Sequence, residues 1–322
     1  MMMSDNLHQD KILISVVSPA YNEQGNIAPM INEVKNAFLG LGQGFDFEYI
    51  IVDDGSTDNT WPEITDEAGK DQGIKGIRLS RNFGQQIALS AGIDLVQGQA
   101  LIFCDVDLQH PPSLFPSMIR EWQNGAKVVN TIRLETANSH FPKKILSKIF
   151  YHLINFLSDL PLKEGMADFK LLDKSVYSKL QIMHERNRFL RGLIPWLGFP
   201  QKTITYKAPQ RLSGSALYDF GKSLKLARIG ILSMSTRPLK YVAYLGLTLT
   251  FLSLLGLTIS LGLIIANNNT RYISPTFLLM LFNTLLIGIV LCCLGIVALY
   301  ISFLYQEIIQ RPLYIIEKKI NL

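Results

Sequence analysis

Two neighbouring aspartates, Asp105 and Asp107, are the residues of this sequence best suited to metal binding or catalysis. They end the apolar run ALIFCDVD, and Gln109, His110 and a pair of prolines follow. If the run is a strand, the spacing places both carboxylates on one face, and Gln109 continues the series. Neighbouring carboxylates repel each other and stay ionised only near a cation. Oxygen ligands suit Mg²⁺ or Mn²⁺, so we predict that Asp105, Asp107 and Gln109 bind such an ion together with a diphosphate.

The elements that must position these carboxylates read as alternating strands and helices. Five apolar runs are predicted to be strands: ILISVVSP (12–19), FEYIIVDD (47–54), IKGIRLS (74–80), ALIFCDVD (100–107) and KVVNTIR (127–133). Helical patterns lie between them, at about 26–41, 59–71, 85–97 and 112–124. This alternation predicts an α/β domain with a mostly parallel sheet and helices on both faces.

Several predicted strands end in polar residues. The first ends in SPAYNE, the second in VDDGSTD and the fourth in DVDLQ. Ligands of open α/β sheets bind outside the carboxyl ends of the strands, so these segments are expected to form one site. DGSTD also suits a turn in which Asp58 caps a helix, which is a structural explanation for that segment alone. The three segments together favour a binding site.

The last third of the chain contains two long apolar runs. They cover 241–266 and 275–305, carry no charge, and exceed the roughly 20 residues that a helix needs to cross a bilayer. Basic residues flank the pair, and only Arg271 lies in the loop between them. Because Lys and Arg favour the cytoplasmic side, we predict an integral membrane protein with two spans and with both termini and the catalytic domain in the cytosol. No cleaved signal peptide is predicted.

The sequence therefore predicts a catalytic domain followed by a membrane part. The predicted parts are a catalytic domain at 1–220, a juxtamembrane amphipathic segment at 221–240, spans at 241–266 and 275–305, and a cytosolic tail at 306–322. Within the first part, Lys143 and Lys144 open a largely apolar stretch at about 141–158. This pattern indicates a helix in the membrane interface, the alternative being an ordinary surface helix packed on the sheet.

Eight segments of the chain resemble family-2 glycosyltransferases with the GT-A fold. Within that family they resemble the polyprenyl-phosphate glycosyltransferases, which include dolichol-phosphate mannose synthases and bactoprenol glucosyltransferases. The segments follow the family order between residues 12 and 316: SPAYNE, VDDGSTDNT, LSRNFGQQIALSAGID, DVDLQHPP, DFKLLDKSV, ERNRFLRGL, STRPLK and RPLYII. The resemblance implies a GT-A catalytic domain that is covered by helices and anchored by the two spans.

The resemblance also implies a reaction. A metal ion, Mg²⁺ or Mn²⁺, would assist the inverting transfer of a hexose from a nucleotide sugar to a polyprenyl phosphate at the cytosolic membrane face. UDP-glucose and undecaprenyl phosphate are the favoured substrates, and GDP-mannose or another donor is the alternative. The expected partners are these substrates, the membrane and a second copy of the chain, since Gly288 and Gly295 permit close helix packing. No nucleic-acid partner is expected.

Individual residues receive roles from the same resemblance. The nucleotide-sugar contacts would be Pro19, Tyr21, Glu23, Asp54 and Asn82. Asp105, Asp107 and Asp168 would be the catalytic residues, with Asp168 near the sugar or the acceptor unless it only caps a helix. The cations expected to bind the acceptor phosphate are Arg133, Lys143, Lys144 and Arg211. Arg133 ends the fifth strand, where its guanidinium group could bind a phosphate with two hydrogen bonds.

The sequence departs from the family pattern in small ways at Val106 and His110, which stand where Ala and Asp are common, and more clearly at two other places. Ser215, Ala216 and Leu217 stand where the pattern R-x-x-G-E-S-K-Y has Glu, Ser and Lys, which weakens phosphate binding by that loop. Lys170 replaces the usual Arg of DFRL, which keeps the charge but loses the planar guanidinium.

Because a phosphate acceptor is already largely anionic, with a second pKa of about 6, we expect Asp168 to orient rather than to deprotonate.

Two other functions fit parts of the sequence. A processive polysaccharide synthase shares the fold but needs more spans and a Q-x-x-R-W element, whereas here Arg191 is followed by Gly192. A non-catalytic membrane scaffold that kept the fold is the second alternative. The intact VDDGSTD segment and the pair of Asp105 and Asp107 argue against it.

Overall fold

The structure is a computed structural model that describes residues 11–134, 166–183, 185, 186, 188–207, 235, 237–266 and 275–322. These residues fall into two compact units. The first contains a sheet with its helices and ends with Arg311–Leu322, and the second contains two long helices. Every predicted site residue that is described belongs to the first unit.

The first unit is built from eight strands and six α-helices among the described residues. The strands are β1 Ile12–Ala20, β2 Phe45–Asp53, β3 Ile74–Leu79, β4 Ala100–Phe103, β5 Val128–Leu134, β6 Met166–Asp173, β7 Gln201–Lys207 and β8 Ile316–Ile320. The helices are α1 Ile27–Leu39, α2 Thr60–Lys70, α3 Gln85–Ile93, α4 Phe115–Gln123, α5 Lys174–Ile182 and α6 Leu190–Trp196, with a 3₁₀ turn, Pro112–Leu114, before α4.

The strands form one sheet in the order β7-β5-β6-β4-β1-β2-β3-β8. The neighbours among β4, β1, β2 and β3 pair in parallel, as β5 and β7 do, whereas β6 and β8 run antiparallel to their neighbours. The predicted α/β domain with a mostly parallel sheet is thus confirmed. Val16 and Val17 point to opposite faces of β1 and both are fully buried, which explains why the strands read as continuous apolar runs.

The topology brings the functional ends of the strands to one edge of the sheet. Ala20 pairs with Asp53, so β1 and β2 finish side by side, and β4 ends beside β1 where Val17 pairs with Phe103. Because β6 is antiparallel to β4 and β5, its first residues lie at the same edge as the last residues of β5. Asp168 and Arg133 therefore reach the edge that carries the other polar strand ends.

Strand β4 is shorter than the sequence predicts. It ends at Phe103 instead of Asp107, and the residues that follow form turns in which Leu108 has a φ of 60°. The backbone N–H of Asp105 donates to His110 Nδ1 at 2.9 Å. This N–H group is therefore bonded to a side chain and not to the backbone of a neighbouring strand. The prediction that Asp105 and Asp107 share one face of an extended strand was wrong, and a turn carries both.

Three strands were missing from the sequence prediction. β6, with the sequence MADFKLLD, contains Asp168 and Lys170, and their charges hide its strand character. β7 is mostly exposed, and β8, with the sequence IEKKI, is short and charged. None of the three has the apolar run by which the other strands were recognised.

The C-terminal residues cover one edge of the sheet. β8 pairs with β3, and Ser80 N donates to the carbonyl of Ile315 at 3.0 Å. The Asn321 side chain then donates to the carbonyls of Ala68 at 2.7 Å and Ile74 at 2.8 Å. The segment predicted as a cytosolic tail thus contains a strand that pairs with the open edge of β3.

We expect Asn321→Gly to destabilise the sheet edge. Asn321 has a φ of 59°, which glycine adopts without strain, so the substitution removes hydrogen bonds alone. The loss should be about 1–2 kcal/mol in the free energy of unfolding. It would be measured as a lower melting temperature of the purified protein in detergent. Lys319→Ala, at an exposed position of β8, is the control and should change little. Equal melting temperatures for all three proteins would contradict this role of Asn321.

The second unit consists of α7 Arg237–Ala266 and α8 Pro275–Ile309, which coincide with the two predicted spans. Among the described residues, the segment Leu286–Ile309 is long and apolar enough to cross a membrane, with a mean hydropathy of 2.7, and it is not buried inside the protein. The apolar helix at the second predicted span is therefore present, and the first span stays a prediction.

Candidate functional site

The loops after β1 and β2 are joined by hydrogen bonds. Asn22 N donates to Ser56 Oγ and Thr57 N donates to Asn22 Oδ1, both at 3.0 Å. Glu23 N donates to Thr60 Oγ1 at 2.9 Å. SPAYNE and VDDGSTD thus form one surface, as predicted from the strand ends. Tyr21 is 46% exposed at this surface.

A close backbone approach joins this surface to the loop after β3. Gly55 has a φ of 69°, and a Cβ atom there would lie 2.4 Å from the carbonyl carbon of Arg81. Asp54 accepts hydrogen bonds from the backbone N–H groups of Phe83 at 2.7 Å and Gly84 at 2.8 Å. Burial raises the pKa of Asp54, and these two N–H groups act against that rise.

The predicted nucleotide-sugar contacts differ in accessibility. Asp54 is buried, and its carboxylate binds the backbone of the loop after β3. In the described structure it therefore positions that loop. Asn82 is exposed beside that loop, and Pro19 and Glu23 are half-buried. Glu23 accepts a hydrogen bond from Asn26 Nδ2 at 2.6 Å. Direct nucleotide contact by these residues stays a prediction.

The turn after β4 is fixed by its own side chains. His110 is buried, its Nδ1 accepts the N–H of Asp105, and its ring stacks on Phe169 with centroids 5.1 Å apart. Asp107 Oδ1 accepts the backbone N–H of Gln109 at 3.1 Å. Gln85 Nε2 donates to Asp105 Oδ1 at 2.9 Å from the first turn of α3. The two carboxylates predicted as metal ligands are therefore held by contacts within the turn and from α3.

The electrostatics of this turn fit a divalent cation. Desolvation raises the pKa of Asp105, and the carboxylates of Asp168 and Asp107 raise it further against the lowering effects of His110 and Arg191. Among the described residues, no three His, Cys, Asp or Glu side chains are placed to hold a metal ion together. Two carboxylates would leave most positions of a metal to phosphate oxygens and water, which is how Mg²⁺ usually binds.

Gln109 contacts the predicted acceptor side. Its Oε1 accepts a hydrogen bond from Arg133 at 2.9 Å, so the third predicted metal ligand lies against the first predicted phosphate-binding residue. Its role as a metal ligand stays a prediction. Lys143, Lys144 and Arg211 lie outside the described residues, as does the predicted interfacial helix at 141–158.

Asp168 is held by a bidentate ion pair. Arg191 Nε donates to Asp168 Oδ1 at 2.7 Å, and its second nitrogen donates to Oδ2 at 2.9 Å. Gln86 Nε2 also reaches Oδ2, at 3.2 Å. Burial acts to raise the pKa of Asp168, but the charge and hydrogen bonds of Arg191, with Lys170 and His110, lower it below its ordinary value. Asp168 is therefore an ionised carboxylate with both oxygens engaged.

Four residues of the site were not predicted as site residues. They are Gln85, Gln86, His110 and Arg191. Three of them, Gln85, Gln86 and Arg191, lie in the segments LSRNFGQQIALSAGID and ERNRFLRGL. These segments resemble the family, but their side chains did not indicate a chemical role. The spacing of these three residues carried no signal because each contacts its aspartate across the fold, whereas His110 contacts Asp105 within one turn.

Comparison with known proteins agrees with this geometry. The family described as "Glycosyl transferase family 2" matches residues 15–181, which is slightly more than half of the chain. The chain belongs to glycosyltransferase family 2. The matched region includes the loops after β1, β2 and β4 and the Asp168 strand.

Curated relatives match this glycosyltransferase along nearly its whole length. An uncharacterised glycosyltransferase of Bacillus subtilis, YkcC, is 36% identical over 307 residues, or 95% of this chain and 94% of the relative. The SfII prophage-derived bactoprenol glucosyl transferase of Shigella flexneri is 33% identical over 306 residues, which cover 95% of this chain and 97% of that protein. The prophage bactoprenol glucosyl transferase homologue of Escherichia coli K12 is also 33% identical, over 95% and 98%.

A solved structure from Mycobacterium tuberculosis also resembles this chain. Glucosyl-3-phosphoglycerate synthase, in complex with Mn²⁺, UDP and glucosyl-3-phosphoglycerate, has a TM-score of 0.44 and 18% sequence identity. The match covers 69% of this glycosyltransferase and 78% of that chain.

The turn that carries Asp105 should depend on His110. In His110→Ala the buried N–H of Asp105 loses its acceptor and Phe169 loses its stacked ring, which should cost about 1–3 kcal/mol of the free energy of unfolding. His110→Asn keeps a neutral acceptor and should be destabilised less. Melting temperatures of the three proteins in detergent test this order. If His110→Ala unfolds at the temperature of the parent protein, His110 does not fix the turn.

Proposed function

We propose that this glycosyltransferase transfers a hexose from a nucleotide sugar to a polyprenyl phosphate at the cytosolic membrane face, with inversion at the anomeric carbon. UDP-glucose is the favoured donor and undecaprenyl phosphate the favoured acceptor. Near-complete coverage at 33% identity with proteins described as bactoprenol glucosyl transferases supports this choice. GDP-mannose or another donor is the alternative.

The observation that carries the acceptor assignment is the ion pair of Asp168 with Arg191. A hydroxyl acceptor needs a general base within reach of its proton. The resemblance puts Asp168 near the sugar or the acceptor, yet both its oxygens bind Arg191 and its pKa is lowered, so it is a poor base. A phosphate monoester needs no base at neutral pH, because its second pKa is about 6. The geometry therefore favours a phosphate acceptor.

The proposed reaction is a direct displacement. An oxygen of the lipid phosphate forms a bond to the anomeric carbon of the sugar while the bond from that carbon to the diphosphate oxygen breaks. Asp105 and Asp107, with Gln109, would hold Mg²⁺ or Mn²⁺, which when bound supplies positive charge for the departing diphosphate. Asp168 and Arg191 orient the reacting groups, so the rate enhancement comes from positioning and charge stabilisation.

The acceptor phosphate would meet cations supplied by several parts of the chain. Arg133 lies beside Gln109 at the edge of the sheet, and Lys143, Lys144 and Arg211 complete the proposed set. Two spans, α7 and α8, would keep the site at the depth of the lipid phosphate with both termini in the cytosol. Self-association through the spans is part of this proposal.

The deciding experiment is a transfer assay with purified protein in detergent. Radiolabelled UDP-glucose and, in parallel, GDP-mannose are incubated with undecaprenyl phosphate and either Mg²⁺, Mn²⁺ or EDTA. We expect metal-dependent label in the lipid extract with UDP-glucose, because the diphosphate needs a cation to leave. Label that stays in the aqueous phase with every common donor would exclude those donors, and loss of nucleotide binding as well would refute the proposal. Retained nucleotide binding would then indicate an unusual sugar, and its loss would indicate a scaffold.

Asp107→Ala should abolish transfer and leave the fold intact. Asp107 sits in a turn outside the strands, so its side chain adds little to the core. We expect a loss of at least about 100-fold in kcat, the usual scale for a group that stabilises charge in the transition state. Asp46→Ala, an exposed aspartate at the opposite end of β2, is the matched control and should keep full activity. Near-normal transfer by Asp107→Ala would remove Asp107 from the metal site.

The pH dependence of kcat tests whether Asp168 acts as a base. Asp168→Asn should lower kcat by about 10- to 100-fold, because Arg191 loses its ionic partner and the reacting groups lose alignment. The acid limb of the profile should be the same in both proteins, since it reports the second pKa of the lipid phosphate, about 6. An acid limb that disappears in Asp168→Asn, with unchanged substrate binding, would make Asp168 the general base.

A further inference from the structure

Lys170 is a buried cation with no hydrogen bond. It lies in the middle of β6, is 1% exposed, and its ammonium nitrogen has no partner. It is the only lysine among the buried residues that the structure describes. Burial of an unpaired ammonium group is unfavourable unless nearby charges compensate it. An apolar side chain would pack here at less cost, so the position of Lys170 calls for a function.

The neighbours of Lys170 connect it to the site. Asp168 lies two residues earlier on β6 and therefore on the same face of the sheet. Across the strands, Phe103 of β4 and Asn130 of β5 pair with Lys170 and are uncharged. Asn130 is itself buried, and its Oδ1 also has no partner. Among the described residues, the charges that act on Lys170 are those of Asp168 and Arg191.

The charges around Asp168 are unequal. The carboxylate of Asp168 faces two cations, Arg191 through two hydrogen bonds and Lys170 through space. Asp105 and Asp168 also repel each other, because each raises the energy of the other's ionised form. A second cation therefore offsets the repulsion from Asp105 without occupying an oxygen of Asp168.

We propose that Lys170 is a positioning residue whose buried ammonium group, together with Arg191, keeps Asp168 ionised and fixed at the edge of the sheet where the substrates react. This inference rests on the proposed function. It also explains why a positive charge stays at this position although the guanidinium of the family pattern is absent, since the task is electrostatic and needs no hydrogen bond.

Desolvation lowers the pKa of Lys170 to about 8, against the raising effect of Asp168. The ammonium form is therefore present at neutral pH and lost as the pH rises through about 8, while arginine stays charged throughout. A positioning role predicts an alkaline fall in kcat that belongs to Lys170. A purely structural lysine predicts no such fall.

The test compares the parent protein with Lys170→Arg and Lys170→Gln in the lipid transfer assay. From about pH 7 to about pH 9, kcat of the parent should fall about tenfold, because about one Lys170 in ten stays protonated. Lys170→Arg should keep the neutral-pH rate and lose the fall. Lys170→Gln should be slow at every pH, with an unchanged KM for the nucleotide sugar.

A second readout does not depend on transfer. Because the folded pKa of Lys170 lies below its unfolded value, the unfolded protein binds more protons between them, and stability rises with pH. The melting temperature of the parent should therefore rise relative to Lys170→Arg above about pH 8.

The control for the transfer assay is Lys75→Gln, which removes a lysine paired with Glu48 away from the site. This variant should keep the parent's pH profile of kcat.

The outcomes separate the two proposals. Absence of lipid-linked label at about pH 7 with every donor would overturn the proposed function, and this role of Lys170 with it. Label at neutral pH with the same alkaline fall in Lys170→Arg, or with no fall in the parent, would overturn the role of Lys170 alone. If Lys170→Gln does not fold, the comparison of the parent with Lys170→Arg still decides.

Discussion

Repulsion among carboxylates at one edge of the sheet is the constraint on which the rest of the site depends. Asp105, Asp107 and Asp168 arrive there from the turn after β4 and from the start of β6, because β6 runs antiparallel to β4. The carboxylates of Asp168 and Asp107 drive Asp105 towards its neutral form. In the described structure, the positive charges of Arg191 and Lys170 offset this repulsion at Asp168. A divalent ion would offset it at Asp105 and Asp107.

The main features of the fold could be predicted because they follow from hydrophobic patterning. The apolar runs that became β1, β2 and β3 are buried on both faces, and such runs can only lie inside a parallel sheet covered by helices. The same topology places polar strand ends at one edge, so SPAYNE and VDDGSTD could be assigned to one surface before any contact was known. Asp105 and Asp107 were found because carboxylates stand out after an apolar strand, whereas Asp168 was assigned from the resemblance to the family.

The remaining features depend on contacts between residues far apart in the sequence. β6 was missed because Asp168 and Lys170 break its apolar pattern, and the Asp168 carboxylate is tolerated there because Arg191 of α6 pairs with it. The end of β4 was predicted too late because a side chain, His110, takes the N–H of Asp105. Pattern reasoning assigns hydrogen bonds to the backbone by default and cannot foresee such a substitution. The pairing of β8 with β3 was not predicted either, because the five residues of β8 are mostly charged and show no strand pattern.

The two halves of the site differ in the source of their positive charge, and this difference fits a reaction between two phosphate-bearing substrates. The turn after β4 offers carboxylates, so it can bind a diphosphate only through a metal ion. On the proposed acceptor side, the guanidinium group of Arg133 would bind phosphate directly. In the proposed reaction, a metal ion would neutralise the leaving group, and none would be required where the nucleophile keeps its charge. The proposed phosphate acceptor would arrive as an anion and remove the need for a base, which agrees with a site in which Asp168 is committed to an arginine.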